Sequence, residues 1–176
     1  ERFSGDEETY SVPEGVTHIG SRAFLNNRTL REVHIPDSVV GIGDQAFMGC
    51  RALKGVVIPD SVNLIGSLAF QGCTGLAKAY LPSGLAEIPL SMFSGCTSLS
   101  YVEAPSAESV GRGAFKLCYA LKELHLGEVI EICDEAFRDC RVLEMFCSSN
   151  VAVVGARAFE GCRNLRSIAM GSGVLD

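Results

Sequence analysis

Residues 30–50 read Leu30-Arg31-Glu32-Val33-His34-Ile35-Pro36-Asp37-Ser38-Val39-Val40-Gly41-Ile42-Gly43-Asp44-Gln45-Ala46-Phe47-Met48-Gly49-Cys50, and a second version of the same passage begins at Leu53. The passage returns along the whole chain. Its phenylalanine recurs as Phe24, Phe47, Phe70, Phe93, Phe115, Phe137 and Phe159, at intervals of 23, 23, 23, 22, 22 and 22 residues. Its leading leucine recurs as Leu30, Leu53, Leu76, Leu99, Leu121, Leu143 and Leu165. A fixed period in the twenties means that each repeat is one coil of a solenoid and buries its apolar side against its neighbours. A residue that recurs in every coil is explained by stacking, so only departures from the repeat can carry function.

Within one coil, Val33-His34-Ile35 alternates inward and outward, which is the period of a strand. Every coil runs the same way, so the equivalent strands lie in parallel register. Val33, Val56, Ala79, Val102, Leu124, Phe146 and Ile168 are the expected inward residues. Pro36, Pro59, Pro82 and Pro105 end their strands, because proline cannot donate to a ladder. Val39–Ile42, with Val16–Ile19 and Val62–Ile65, reads as a second short extended segment closed by the turn glycines Gly20, Gly43, Gly66, Gly111 and Gly155. Asp44–Met48 reads as one or two helical turns, with Gly49, Gly72, Gly95 and Gly161 in left-handed C-terminal caps. The expected architecture is an α/β repeat: a right-handed solenoid of about seven coils, with a parallel sheet on one face and short helical turns and extended segments on the others.

The 176 residues form one continuous array without a linker, so 1–176 is read as a single repeat domain. Residues 1–10 form a polar N-terminal extension, and the chain reads as a piece of a longer protein. Lys and Arg number 15 against 21 Asp and Glu, a net charge of −6, and no basic run exists to hold phosphates; nucleic acid is excluded as a partner. No stretch of 18 apolar residues is present, so this segment inserts no membrane helix.

Six of the eight cysteines (Cys50, Cys73, Cys96, Cys118, Cys140 and Cys162) stand three residues after a coil phenylalanine. They read as buried thiols, one per coil. Disulfides between adjacent coils are the alternative, but identical neighbours on both sides leave no thiol a defined partner.

The Ala-Phe-x-Gly-Cys cores (Ala46–Cys50, Ala69–Cys73 and Ala158–Cys162) and the Ile-Pro-Asp-Ser-Val tracts at Ile35–Val39 and Ile58–Val62 resemble the BspA-type leucine-rich repeats, from about Val12 to Met170. The resemblance implies a leucine-rich-repeat domain of a cell-surface or secreted protein, as in host-associated bacteria and some parasitic protists. Family members with assigned roles tend to be adhesins, and the resemblance brings no catalytic residues. Several positions depart from the pattern. Asn27 replaces the coil cysteine, Met92 the alanine, and Pro89 and Cys133 the turn glycine; Gly127, Ser149 and Gly171 replace the strand-ending proline in the later 22-residue coils. Those later coils are expected to coil differently.

Motifs of chemistry are few. Gly41–Ala46 mimics a dinucleotide fingerprint but lies inside the repeat, and neither a Cys-x-x-Cys pair nor a zincin motif occurs. Cys133, Cys140 and Cys147 fall at three different points of the coil, and His34 and His125, four coils apart, stand roughly 19 Å from each other. Asn27-Arg28-Thr29 is a formal glycosylation sequon. No enzyme, metal or cofactor is read from this chain.

The outward strand positions are free of the packing pattern. One row runs His34, Val57, Tyr80, Glu103, His125, Cys147, Ala169, and its neighbour runs Glu32, Gly55, Lys78, Tyr101, Glu123, Met145, Ser167. Tyrosines among mixed charges suit recognition of a protein or glycan. Tyr80, Tyr101, Glu103, Glu123 and His125 are the expected partner-binding residues of an adhesion-type module. The competing reading is a structural spacer without a ligand.

Overall fold

The computed structural model describes residues 7–170 of the chain, so Gly171 and the first six residues of the extension lie outside it. Two strands mark each coil: β1 (Thr9–Ser11) and β2 (His18–Ile19), β3 (Glu32–His34) and β4 (Gly41–Ile42), β5 (Gly55–Val57) and β6 (Leu64–Ile65), β7 (Lys78–Tyr80) and β8 (Glu87–Ile88), β9 (Tyr101–Ala104) and β10 (Ser109–Val110), β11 (Glu123–Leu126) and β12 (Glu131–Ile132), β13 (Met145–Ser148) and β14 (Val153–Val154), then β15 (Ser167–Met170). All pairings are parallel and in the register of the repeat, for example Gly55↔Lys78↔Tyr101↔Glu123. This is a parallel-strand solenoid of about seven turns. Thr9 and Tyr10, read from the sequence as part of a polar extension, belong to β1, which pairs with β3; the Tyr10 ring meets Phe24 edge-on at 5.4 Å.

The core is a set of ladders. The coil phenylalanines stack face to face, with centroids 4.8 Å apart at Phe24–Phe47, 5.1 Å at Phe47–Phe70 and 5.2 Å at Phe137–Phe159. Phe47, Phe70, Phe93, Phe115 and Phe137 are wholly buried, and each contributes about 1.5–3 kcal/mol by burial. The coil thiols form a second ladder in which every S–H donates to the phenylalanine carbonyl of the preceding coil: Cys73 Sγ to Phe47 O, Cys96 Sγ to Phe70 O and Cys118 Sγ to Phe93 O, each at 3.1 Å. Cysteine is small and apolar and still carries a donor, which that carbonyl uses. None of the eight cysteines is paired. In the first coil Asn27 takes a different role: its Oδ1 accepts from the backbone N–H groups of Thr29 and Leu30.

The expected helical turns are absent: among the described residues no helix occurs. Around Phe47 the N–H groups alternate. Gln45, Phe47 and Gly49 donate to Ser67, Ala69 and Gln71 of the next coil, whereas Ala46, Met48 and Cys50 donate three residues back. An α-helix is about 10–12 Å across with its side chains, twice the spacing of the stacked rings. The turns therefore surrender half their local hydrogen bonds to the neighbouring coil. Gln45 (φ 57°), Leu68 (φ 59°) and Glu135 (φ 57°) sit in left-handed backbone to make this possible. Gly49, Gly72, Gly95 and Gly161 take positive φ as the sequence indicates, and a Cβ at Gly49 would overlap Asn26 Oδ1.

Three seams interrupt the hydrogen-bonded sheets. Between β6 and β8 the cause is Pro89. Gly66 N–H bonds Ile42 O at 2.8 Å and Gly111 N–H bonds Ile88 O at 2.8 Å, but proline has no N–H to offer Ile65. Between β11 and β13 the inward position changes from Leu124 to the bulkier Phe146, whose ring packs on Phe137 and Phe159. The third seam separates β3 from β5. The 22-residue coils have four-residue strands where the earlier ones have three. Of the residues expected inward, Val33, Val56, Ala79, Val102 and Phe146 are buried and Leu124 is half-buried, but Ile168 is 44% exposed. It lies in β15, which has a coil on one side only among the described residues.

Candidate functional site

The unbroken run β5–β7–β9–β11 presents the two outward rows side by side. Parallel pairing places Tyr80 opposite Glu103 and Glu103 opposite His125, with Lys78 opposite Tyr101 and Tyr101 opposite Glu123. All five residues expected at the site therefore lie on three adjacent strands. The rings form a zigzag across the two rows, with centroids 5.4 Å apart at Tyr80–Tyr101 and 5.3 Å at Tyr101–His125. Tyr101 Oη donates to Glu103 Oε2 at 2.9 Å along its own strand. That bond holds the phenolic proton, and together with desolvation and the negative charges around it, Glu103 and Glu123 included, raises the Tyr101 pKa. Tyr80, Tyr101 and Glu103 are half-buried and Glu123 and His125 are exposed. The arrangement is an aromatic ridge fixed by its own contacts and edged by carboxylates.

Beside this ridge the sheet face sinks into a groove of about 1180 Å³ over β3, β5 and β7, floored by Gly55 and Val57 and bounded by Tyr80. Val57 is 64% exposed. Sequence reasoning placed Gly55 and Val57 in the outward rows without singling them out. The signal was there in the form of an outward glycine and an outward valine on one strand, with Lys54 before it and Lys78 in the next.

One cluster of titratable groups lies away from this face. On another face Lys116 Nζ bonds Glu135, and Arg138 reaches Glu135 at 3.2 Å and Glu160 at 3.4 Å, so three coils share one ion network. Lys116, then Arg138, hold the Glu135 carboxyl below its ordinary pKa. Burial pushes the Cys96 and Cys118 thiols up. Among the described residues no group of three or more His, Cys, Asp or Glu is placed to hold a metal, and no helix is long and apolar enough to cross a membrane.

A parallel solenoid of 22–23-residue coils with a leading leucine, an in-register sheet face and a phenylalanine ladder defines the leucine-rich-repeat class. Within it, the chain belongs to the BspA-type leucine-rich repeat family, whose model matches residues 4–122 and 108–175 in six copies. A leucine-rich repeat protein of T. pallidum is 33% identical with a TM-score of 0.88, over 94% of this chain and 81% of that one. A leucine-rich repeat protein from Eubacterium ventriosum is 27% identical with a TM-score of 0.83, over 88% of this chain and 43% of that one, so this chain spans less than half of that relative's length. A leucine rich cell surface protein from Faecalibacterium prausnitzii, 24% identical with a TM-score of 0.52, over 93% of this chain and 59% of that one, shares the fold. No curated protein matches the chain. Solenoids of this class are typically non-enzymatic scaffolds for interaction.

Proposed function

We propose that this chain is a binding module of a cell-surface or secreted protein, of the adhesion type, and that it takes a protein or glycan partner on its strand-lined face. The reading is carried by one observation: the Tyr80–Tyr101–His125 ridge, with Glu103 and Glu123 beside it, is ordered by its own contacts yet contributes nothing to the ladders of the core. Aromatic rings held in place lose little freedom on binding, and half-exposed tyrosines ringed by polar groups have the composition of interface hot spots. Surface placement follows the habit of the family and is part of the proposal.

The test begins with a screen of the 176-residue chain against host matrix proteins and glycan arrays. The variant carrying Tyr80→Ala and Tyr101→Ala, checked first for an unchanged melting transition, is then compared with the parent. A loss of binding of about tenfold or more supports the site. Undiminished binding by the folded variant removes this patch as the site, and a screen that finds no ligand at all favours a structural spacer.

A further inference from the structure

We infer that the groove over β3, β5 and β7 seats an extended, acidic polypeptide segment whose backbone passes over Gly55, with an apolar side chain on Val57 and carboxylates against Lys54 and Lys78. The inference rests on the strand-face reading and names the partner's chemistry.

Gly55 is the first observation. Glycine weakens a strand interior and often marks a place where another backbone approaches closely. The fold itself gives no reason for glycine here. Its φ is not in the left-handed region, and a Cβ would meet only Lys78 O, at an ordinary 3.7 Å. Gly41 differs, since a Cβ there would lie 2.8 Å from the His18 ring. The missing side chain at 55 creates the floor of the groove and does nothing else in the coil.

The second observation is the seam between β3 and β5. The equivalent rung is made by Val12 N–H to His34 O at 3.0 Å, Ile58 N–H to Tyr80 O at 2.9 Å and Leu81 N–H to Glu103 O at 2.8 Å. Between Ile35 N–H and Val57 O it is not made, and both residues line the groove. Among the described residues neither group has another backbone partner, so a donor and an acceptor stand open beside the bare floor. Lys54 N–H still bonds Arg31 O at 3.0 Å, so β3 and β5 stay neighbours and leave no free edge for an added strand; a polypeptide lying across the face brings its own N–H and carbonyl groups to the open pair.

Charge is the third. Of the carboxylates lining the groove, Glu8 pairs with Arg31 at 3.3 Å, and Glu32 lies 3.7 Å from His34, an ion pair only when the imidazole is protonated. Asp37 lies past the C-terminal end of β3. At the other edge, Lys54 immediately precedes β5 and Lys78 opens β7; both are exposed and have no carboxylate partner among the described residues. Two open lysines beside an exposed valine select acidic residues around an apolar one.

The test uses fluorescence anisotropy with a fluorescein-labelled peptide carrying a central isoleucine flanked by glutamates. A lysine-flanked counterpart and a heparin oligosaccharide serve as comparisons. The glutamate peptide alone should bind, and more weakly as salt rises. Gly55→Leu, which fills the floor without backbone strain, and the pair Lys54→Glu with Lys78→Glu should each weaken it about tenfold or more. Arg112→Glu, exposed and outside the groove and the strand face, should leave it unchanged. All variants are checked for the parent's melting transition. Absence of binding by the glutamate peptide overturns the inference, as does preference for heparin. If Gly55→Leu binds normally while Tyr80→Ala with Tyr101→Ala does not, the groove is not the seat and the wider strand-face reading stands.

Discussion

Truncating one rung of the phenylalanine ladder should cost an amount set by its place in the array. Phe70 is wholly buried, 5.1 Å from Phe47 with planes 2° apart and 5.8 Å from Phe93 at 18°. Phe70→Ala removes the transfer energy of the ring and leaves a cavity that coils on both sides, held by their own hydrogen bonds, cannot collapse into. Large-to-small changes of this kind cost about 3–5 kcal/mol, within which two lost ring pairs account for about 0.5–1.5 kcal/mol each. Phe24 is 4% exposed, stacked on Phe47 and capped edge-on by Tyr10. When Phe24 is truncated, the first coil can detach by breaking a single interface, so the loss is bounded by the docking energy of that coil. Urea unfolding followed by far-ultraviolet circular dichroism measures both costs, and native-state hydrogen exchange locates them. Phe70→Ala should lower global stability by several kcal/mol. Phe24→Ala should cost less and release amides of the first coil ahead of those beyond Phe93. Equal losses with uniform loss of protection in both variants would refute nearest-neighbour stacking as the source of stability.

Thiol labelling of the native chain should proceed in a fixed order. Cys147 is exposed and should react first; Cys162 and Cys133 are half-buried and should follow. Cys162 should lead Cys133, because the Cys140 thiol beside it lowers its pKa, while burial and then the Glu131, Glu87 and Asp134 charges raise that of Cys133. Cys50, Cys73, Cys96, Cys118 and Cys140 should react only after unfolding, and mass spectrometry that finds them modified under native conditions would contradict the thiol ladder. Acid should loosen the coils tied by Glu135. Its folded pKa is depressed, so its contribution is present above the unfolded value of about 4.3 and is lost as pH falls through the folded value. Between pH 6 and pH 3 the parent should lose more melting stability than Glu135→Gln, and parallel losses would show that the network adds none.

The repeat made most of the fold legible in advance. The leucine, phenylalanine and cysteine positions, the parallel register and both outward rows follow from a period that only stacking can satisfy, and Cys147 could be placed in water by counting along its strand. The turn around Ala46 could not. Its residues suit a helix locally, and what forbids one is the coil spacing of about 5 Å, a property of the stack that no single coil contains. For the same reason the left-handed backbone at Gln45, Leu68 and Glu135 leaves no mark in residue type. Tyr80, Tyr101, Glu103, Glu123 and His125 could be assigned to one face by arithmetic, since a strand exposes every second residue. Whether their rings touch depends on rotamers chosen across strands, as does the Tyr101–Glu103 hydrogen bond. The groove is the clearest division between the two. Sequence alone determined that Gly55 and Val57 point outward; only the tertiary structure decided that the rung between Ile35 and Val57 stays open and that Lys54 and Lys78 border the hollow, because backbone pairing between coils is fixed by the stack and not by the residues of either strand.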